Sequence, residues 1–161
     1  MALQKRIRCM VMRAGTSKGV YLLENDLPQD PAEREQVILK IFGSPDPRQI
    51  DGLGGADPLT SKVAIIGPPS VEGADVDYTF GQVEIHEAKV HFNGNCGNIS
   101  AGVGPFAILM GLVKAREPVT TVRVYNTNSR KILVEEVPME DGEPAVYGDF
   151  AIPGVPGTGA E

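Results

Sequence analysis

Apolar and polar residues alternate along several short runs of this chain. In Arg6-Ile7-Arg8-Cys9-Met10-Val11-Met12 the period is that of a strand with one face turned inward. Residues 20–23 continue the pattern after a glycine turn, and Cys9 is expected to pack within its strand. Residues 63–66 are apolar throughout and stop at Gly67-Pro68-Pro69, as a short buried strand would. Tyr78 and Phe80 share one face, whereas Val83 and Ile85 have the opposite parity; Gly81 between them predicts a bulge. Residues 89–92 run into Asn93-Gly94, a strong turn pair. Further strands are expected at 122–125, 132–136 and 145–147.

Two helices stand out against this β-rich background. Asp30 can cap the first, Pro31 suits its opening position, and Glu33 completes a box-like start. Val37, Ile38, Ile41 and Phe42 form its apolar stripe, and Gly43 ends it. The second covers residues 99–113, where Ser100 is the sole polar side chain. A helix apolar all round is buried on every side. Its glycines lower intrinsic helicity, so packing must hold it, and it is too short and too broken by Pro105 to span a bilayer. The pattern predicts an α+β domain over residues 1–150, with strands wrapped around a central apolar helix. Residues 151–161, rich in Gly and Pro, read as a linker. A chain ending in this way is expected to be cut from something longer.

The 161 residues suit one domain with a real core, and 19 glycines with 13 prolines agree with many turns. A net charge of −6 argues against nucleic acid as a partner, yet leaves room for a locally positive pocket that takes a small acid. Two cysteines and no secretory leader point to a reducing cytoplasm, and there is no membrane span. His86 and His91 lack a third ligand at metal-binding spacing, so no metal is expected.

The candidate chemistry lies in three loops. Asn95-Cys96-Gly97-Asn98 places a cysteine where a loop becomes a helix. Helix starts have unpaired N–H groups and partial positive charge, which favour a thiolate and can hold a carboxylate. The alternative is a core cysteine that merely packs. Arg13-Ala-Gly-Thr-Ser-Lys-Gly19 links two strands, and its small residues, with Thr16 and Ser17, suit an anion or simply a polar hairpin. Gly54-Gly-Ala-Asp-Pro-Leu-Thr60-Ser61-Lys62 is the third; it lacks the spacing of a dinucleotide loop. Lys62 opens an apolar strand, either as an exposed end or, partly buried, as a group able to exchange protons. Asn126-Thr127-Asn128 reads as a polar turn between strands.

Together, Met12-Arg-Ala-Gly-Thr-Ser-Lys-Gly19, Gly54 through Lys62, and Asn95 through Ala107 resemble the PrpF family. Its members include 2-methylaconitate cis–trans isomerase, 4-oxalomesaconate tautomerase and methylitaconate Δ-isomerase. The likeness runs from about Arg8 to Pro156 and includes Ala74-Asp-Val-Asp-Tyr78; Ala14, where relatives often have glycine, is a departure. The resemblance implies a diaminopimelate-epimerase-like fold, a barrel-like, mostly antiparallel sheet around a central helix. It also implies that this is the N-terminal of two similar domains, with the site between them and the second absent; an exposed cleft face favours self-association. It assigns proton transfer to Cys96 and Lys62, and carboxylate binding to Thr16, Ser17, Thr60, Ser61, Asn95, Gly97 and Asn98. The implied activity is a cofactor-free isomerisation of an unsaturated di- or tricarboxylate through a dienolate. Alternatives are keto–enol tautomerisation of an oxalomesaconate-like acid and a non-catalytic carboxylate-binding role.

Overall fold

The computed structural model describes residues 4–161. Its strands are β1 (Cys9–Ala14), β2 (Ser17–Leu23), β3 (Lys62–Gly67), β4 (Val76–Val83), β5 (Val90–His91), β6 (Val119–Asn126), β7 (Lys131–Glu140) and β8 (Glu143–Pro144). The helices are α1 (Pro31–Phe42), α2 (Gly97–Ser100) and α3 (Val103–Leu109). The strands form one mixed sheet in the order β1-β2-β3-β4-β6-β7-β8, with β5 also on β4. Only β2–β3 and β4–β6 are parallel among the described residues.

The apolar run at 63–66 is the buried strand expected, and it lies at the middle of the sheet. Strand β3 is buried at every position, because both of its faces are covered. On one face Tyr21, Ala64, Ile66, Tyr78, Phe80, Val122 and Val124 pack on Ile99, Val103 and Phe106 of α2 and α3. On the other, Val20, Leu22, Val63, Ile65 and Val83 pack under Ile38, Leu39 and Phe42 of α1. The change of parity after Phe80 is therefore a change of core, and the register from Lys62↔Gln82 to Gly67↔Asp77 runs without a bulge. Gly81 is there for room: a Cβ would lie 2.7 Å from Val63 Cγ1 and 2.9 Å from Val90 Cγ1.

Helix α1 forms as its sequence dictates. Asp30 accepts the Glu33 N–H at 2.9 Å, Pro31 opens the helix, and Gly43 closes it at a φ of 76°. Its buried stripe is Ile38, Leu39 and Phe42, with Val37 and Ile41 at the flanks. The apolar run after Cys96 is two helices rather than one. Tyr21 Oη donates to the Ile99 carbonyl at 2.8 Å and lies where a Cβ on Gly102 would stand. This contact at the end of α2 supplants continuation of the helix, and α3 restarts with Pro105 in its first turn, where no N–H is needed. Gly111, at a φ of 73°, ends it, with Leu112 N–H bonded to the Ala107 carbonyl. Nor is the run enclosed on all sides, since Leu109 and Leu112 are exposed.

Two further expectations fail. Residues 145–147 form no strand; Pro144 ends the pairing with β7, and Val146 and Tyr147 are exposed. Cys9 is exposed because β1 lies at the sheet edge. It lines a groove of about 440 Å³ with Ile7, Leu22 and Ile41, on the α1 side of the sheet. The terminal residues fold back, with Phe150 bridged to Gly159 and the Ala160 N–H bonded to the Val146 carbonyl. No helix among the described residues is long and apolar enough to cross a membrane.

Candidate active site

Lysine 62 is the first residue of β3, set between Gly19 of β2 and Gln82 of β4. It is 9 % exposed, and its ammonium reaches to 3.5 Å from Cys96 Sγ and 5.6 Å from the centre of the Phe80 ring. The aromatic face favours a cation there. Cys96, half-buried, is the last extended residue before α2, with a φ of −133° and a ψ of 108°. The N–H groups of Gly97 and Asn98 follow it without intrahelical acceptors. Among the described residues beyond its chain neighbours and its own helix, nothing lies within 4 Å of where a Cβ on Gly97 would be.

The β1–β2 hairpin approaches this loop. Ala14 pairs with Ser17, which leaves Gly15 and Thr16 as the turn, and Gly15 takes a φ of 55°. A Cβ at Gly15 would overlap Asn98 Oδ1, and the Thr16 N–H donates to that oxygen at 3.3 Å. Ser17 is 2 % exposed and its hydroxyl has no protein partner among the described residues. The structure thus brings Lys62, Cys96, Asn98 and Thr16 into one neighbourhood, with Gly97, Asn95 and Ser17 adjacent in the chain.

Thr60 and Ser61 are placed differently. Both hydroxyls donate to the Asp57 carbonyl, at 3.1 and 2.8 Å, and Ser61 is fully buried, also 3.0 Å from Gln49 Oε1. They close the loop that leads into Lys62. Gln49, 1 % exposed, is the centre of that loop: Oε1 accepts the Ala56 N–H at 2.8 Å, and Nε2 donates to Ser44 Oγ at 3.0 Å. Nothing in the local pattern marks it, because a lone glutamine in a Gly- and Pro-rich stretch looks solvated.

Asparagines 126 and 128 are likewise more than turn residues. Asn126, fully buried, donates from Nδ2 to Asn95 Oδ1 at 2.8 Å. One edge of β4 pairs with β6 up to Tyr78 and with β5 from Gln82, which leaves a gap at residues 79–81. The Asn128 side-chain amide fills it, accepting the Phe80 N–H at 2.7 Å and donating to the Phe80 and Phe92 carbonyls at 2.9 and 2.7 Å. It ties the segment before Cys96 to the sheet.

Behind the loop lies a further buried acid. Glu135 Oε2 accepts the Gly104 N–H at 2.7 Å, whereas Oε1 is buried without a partner among the described residues. Burial pushes its carboxyl up to about 7, against the pull of the Gly104 bond. Burial also raises the phenols of Tyr21 and Tyr78 well above their ordinary range. His91 instead faces Glu84, at 3.2 Å, and no group of three His, Cys, Asp or Glu side chains suited to a metal occurs among the described residues.

The chain is similar to several known proteins. The chain is 65% identical over 157 residues to 3-methylitaconate isomerase of Eubacterium barkeri, covering 98% of this chain and 41% of that protein. It is 54% identical over 157 residues to 4-oxalomesaconate tautomerase of Pseudomonas putida, covering 98% and 44%. The crystal structure of methylitaconate-delta-isomerase superposes with a TM-score of 0.96 at 64% identity, over 99% of this chain and 41% of that one. A hydroxyproline epimerase from Agrobacterium vitis shares the fold alone, with a TM-score of 0.59 at 17% identity over 90% and 41%. The architecture is the α+β diaminopimelate-epimerase-like fold. The chain spans about two-fifths of the length of the relatives it matches. The model of the family described as PrpF protein matches residues 4–161, and the chain belongs to that family.

Proposed function

We propose that this chain carries the proton-transfer half of an isomerase acting on an unsaturated di- or tricarboxylate. The observation that carries the reading is the 3.5 Å contact between Lys62 Nζ and Cys96 Sγ, next to the Gly97 and Asn98 N–H groups, which have no acceptor among the described residues. One of the pair removes a proton from the carbon γ to a carboxylate across the C=C bond. The electron pair moves into the π-system, and negative charge spreads over a dienolate towards the carboxylate. N–H groups at Gly97 and Asn98 stabilise that charge. The proton returns at another carbon, from the second group of the pair or again from Lys62. Substrate and product are isomers and no electron leaves the substrate, so the step draws on no external oxidant or reductant.

Under this reading the carboxylates are held by Asn95, the backbone of Gly97 and Asn98, and the hairpin at Thr16 and Ser17. Thr60 and Ser61 act by shaping the entry to Lys62. A second lobe facing Lys62 and Cys96 completes the cleft, and the reaction takes place in the cytoplasm. Names of similar proteins support methylitaconate as the first substrate to try. An oxalomesaconate tautomerase at 54% identity keeps keto–enol tautomerisation as a second reading that needs the same groups. Proton NMR in D₂O with 3-methylitaconate, 2-methylaconitate and 4-oxalomesaconate tests both. Deuterium uptake with isomer formation from an unsaturated acid supports the reading. Carboxylate binding without exchange of any carbon-bound proton would reduce the site to a binding role.

A further inference from the structure

The orientation of the amide groups flanking Cys96 follows from two backbone donors. The Ser129 N–H points at Asn126 and lies 2.8 Å from Oδ1. A backbone N–H can only donate, so the atom of Asn126 that faces it must be the carbonyl oxygen. The amino group of Asn126 is then directed at Asn95, 2.8 Å away, and the Asn95 atom that receives it must be oxygen. Asn95 is exposed, and its own amino group makes no hydrogen bond among the described residues. Asn98 is set in the same sense by a single step. Its Oδ1 accepts the Thr16 N–H at 3.3 Å, which leaves Nδ2 without a partner among the described residues. On both sides of Cys96-Gly97, oxygens are consumed by the fold and N–H donors remain.

We propose that Asn126 is a specificity-setting positioning residue: it holds Asn95 with the amino group outward, so that the mouth beside Cys96 presents donors and accepts a carboxylate rather than an ester or amide. The proposal rests on the isomerase reading for its substrate, but the amide orientation does not. Asn126 touches no reacting atom. It acts through Asn95, and its complete burial removes water as a competing partner that would let the pair turn over.

Two arms test this. In the first, exchange of side-chain amide protons is followed by NMR in the ligand-free chain. One Asn126 Nδ2 proton is expected to be protected while both Asn95 Nδ2 protons exchange like a free amide, and 3-methylitaconate shifts the latter where its dimethyl ester does not. Protected Asn95 protons, or equal shifts from acid and ester, would overturn the proposal. In the second, Asn126→Asp and Asn126→Ala are compared in the protein that carries this chain. Assayed at a pH high enough to ionise a buried carboxyl, Asn126→Asp keeps the Ser129 bond but can only accept, so Asn95 must rotate and face the substrate with oxygen. KM for the acid should rise about tenfold or more with kcat nearly unchanged. Asn126→Ala leaves Asn95 free to choose and should raise KM by less. A mere clamp gives the reverse order, because the carboxylate retains a bond to Asn95 and the alanine retains none. The exchange arm requires neither turnover nor a stable variant, so it decides the orientation even where the isomerase reading fails.

Discussion

Cys96 and Lys62 meet because two different constraints place them. The thiol sits at the last extended residue before α2, and the ammonium sits at the first residue of a strand buried on both faces. Their 3.5 Å separation allows a proton to pass directly. Cys96→Ser in the protein carrying this chain should lower turnover by about 10²–10⁴-fold with little change in melting temperature; unchanged turnover would remove Cys96 from the proton path. Lys62→Met keeps the buried stem and deletes the proton carrier. With Lys62 as the base, it should abolish exchange of the substrate's allylic proton with solvent deuterium, and exchange at the normal rate would exclude Lys62 as the sole base. Glu135 makes a separate claim about stability. Its carboxyl is raised from 4.5 to about 7 in the folded chain, so folding favours the protonated form. Its contribution is fully present below pH 4.5 and is lost as pH rises through 7. Glu135→Gln should therefore leave stability near pH 4 unaltered and raise it at pH 8, by up to about 3 kcal/mol. Denaturant unfolding at the two pH values measures this, and equal effects at both would contradict the burial argument.

At the scale of elements, the glycines decide which loops can touch. Gly15→Ala forces a Cβ onto Asn98 Oδ1 at a positive φ, so the hairpin must retreat from the Asn95–Asn98 loop. We expect a loss of about 1–3 kcal/mol and a raised KM, read by calorimetry and kinetics; an unaltered KM would mean that the hairpin takes no part in binding. Legibility from sequence divides along the same line. Helix α1 was readable from Asp30 to Gly43 because its signals are local: a cap, a proline, a period and a stop. Strands β2, β3, β6 and β7 were readable from apolar runs, and Lys62 and Cys96 from motif resemblance. The break between α2 and α3 was not readable, since it depends on Tyr21, 78 positions from Ile99. The roles of Gln49, Asn126 and Asn128 were hidden for the same reason. Their partners lie on other strands and loops, and a polar residue in a turn carries no mark of being buried.

Over the whole molecule, the sheet serves two cores at once. One lies under α1 and the other around α2 and α3, and β2, β3 and β4 are common to both. This arrangement roots Lys62 in a strand buried on both faces, and the proposed proton transfer depends on such fixed placement. Phe106, 1 % exposed and 5.8 Å from the Tyr21 ring, anchors the second core. Phe106→Ala should cost about 3–5 kcal/mol and loosen α3, whereas a loss below about 1 kcal/mol in denaturant unfolding would show that α3 is not the support assumed. Whether Lys62 and Cys96 move the proton is decided by proton NMR of 3-methylitaconate in D₂O with the protein carrying this chain, unmodified and as Lys62→Met and Cys96→Ser. Deuterium at the allylic position together with the shifted double bond is expected in the unmodified protein, and neither in Lys62→Met. Isomerisation that persists in both variants would contradict that role for the pair.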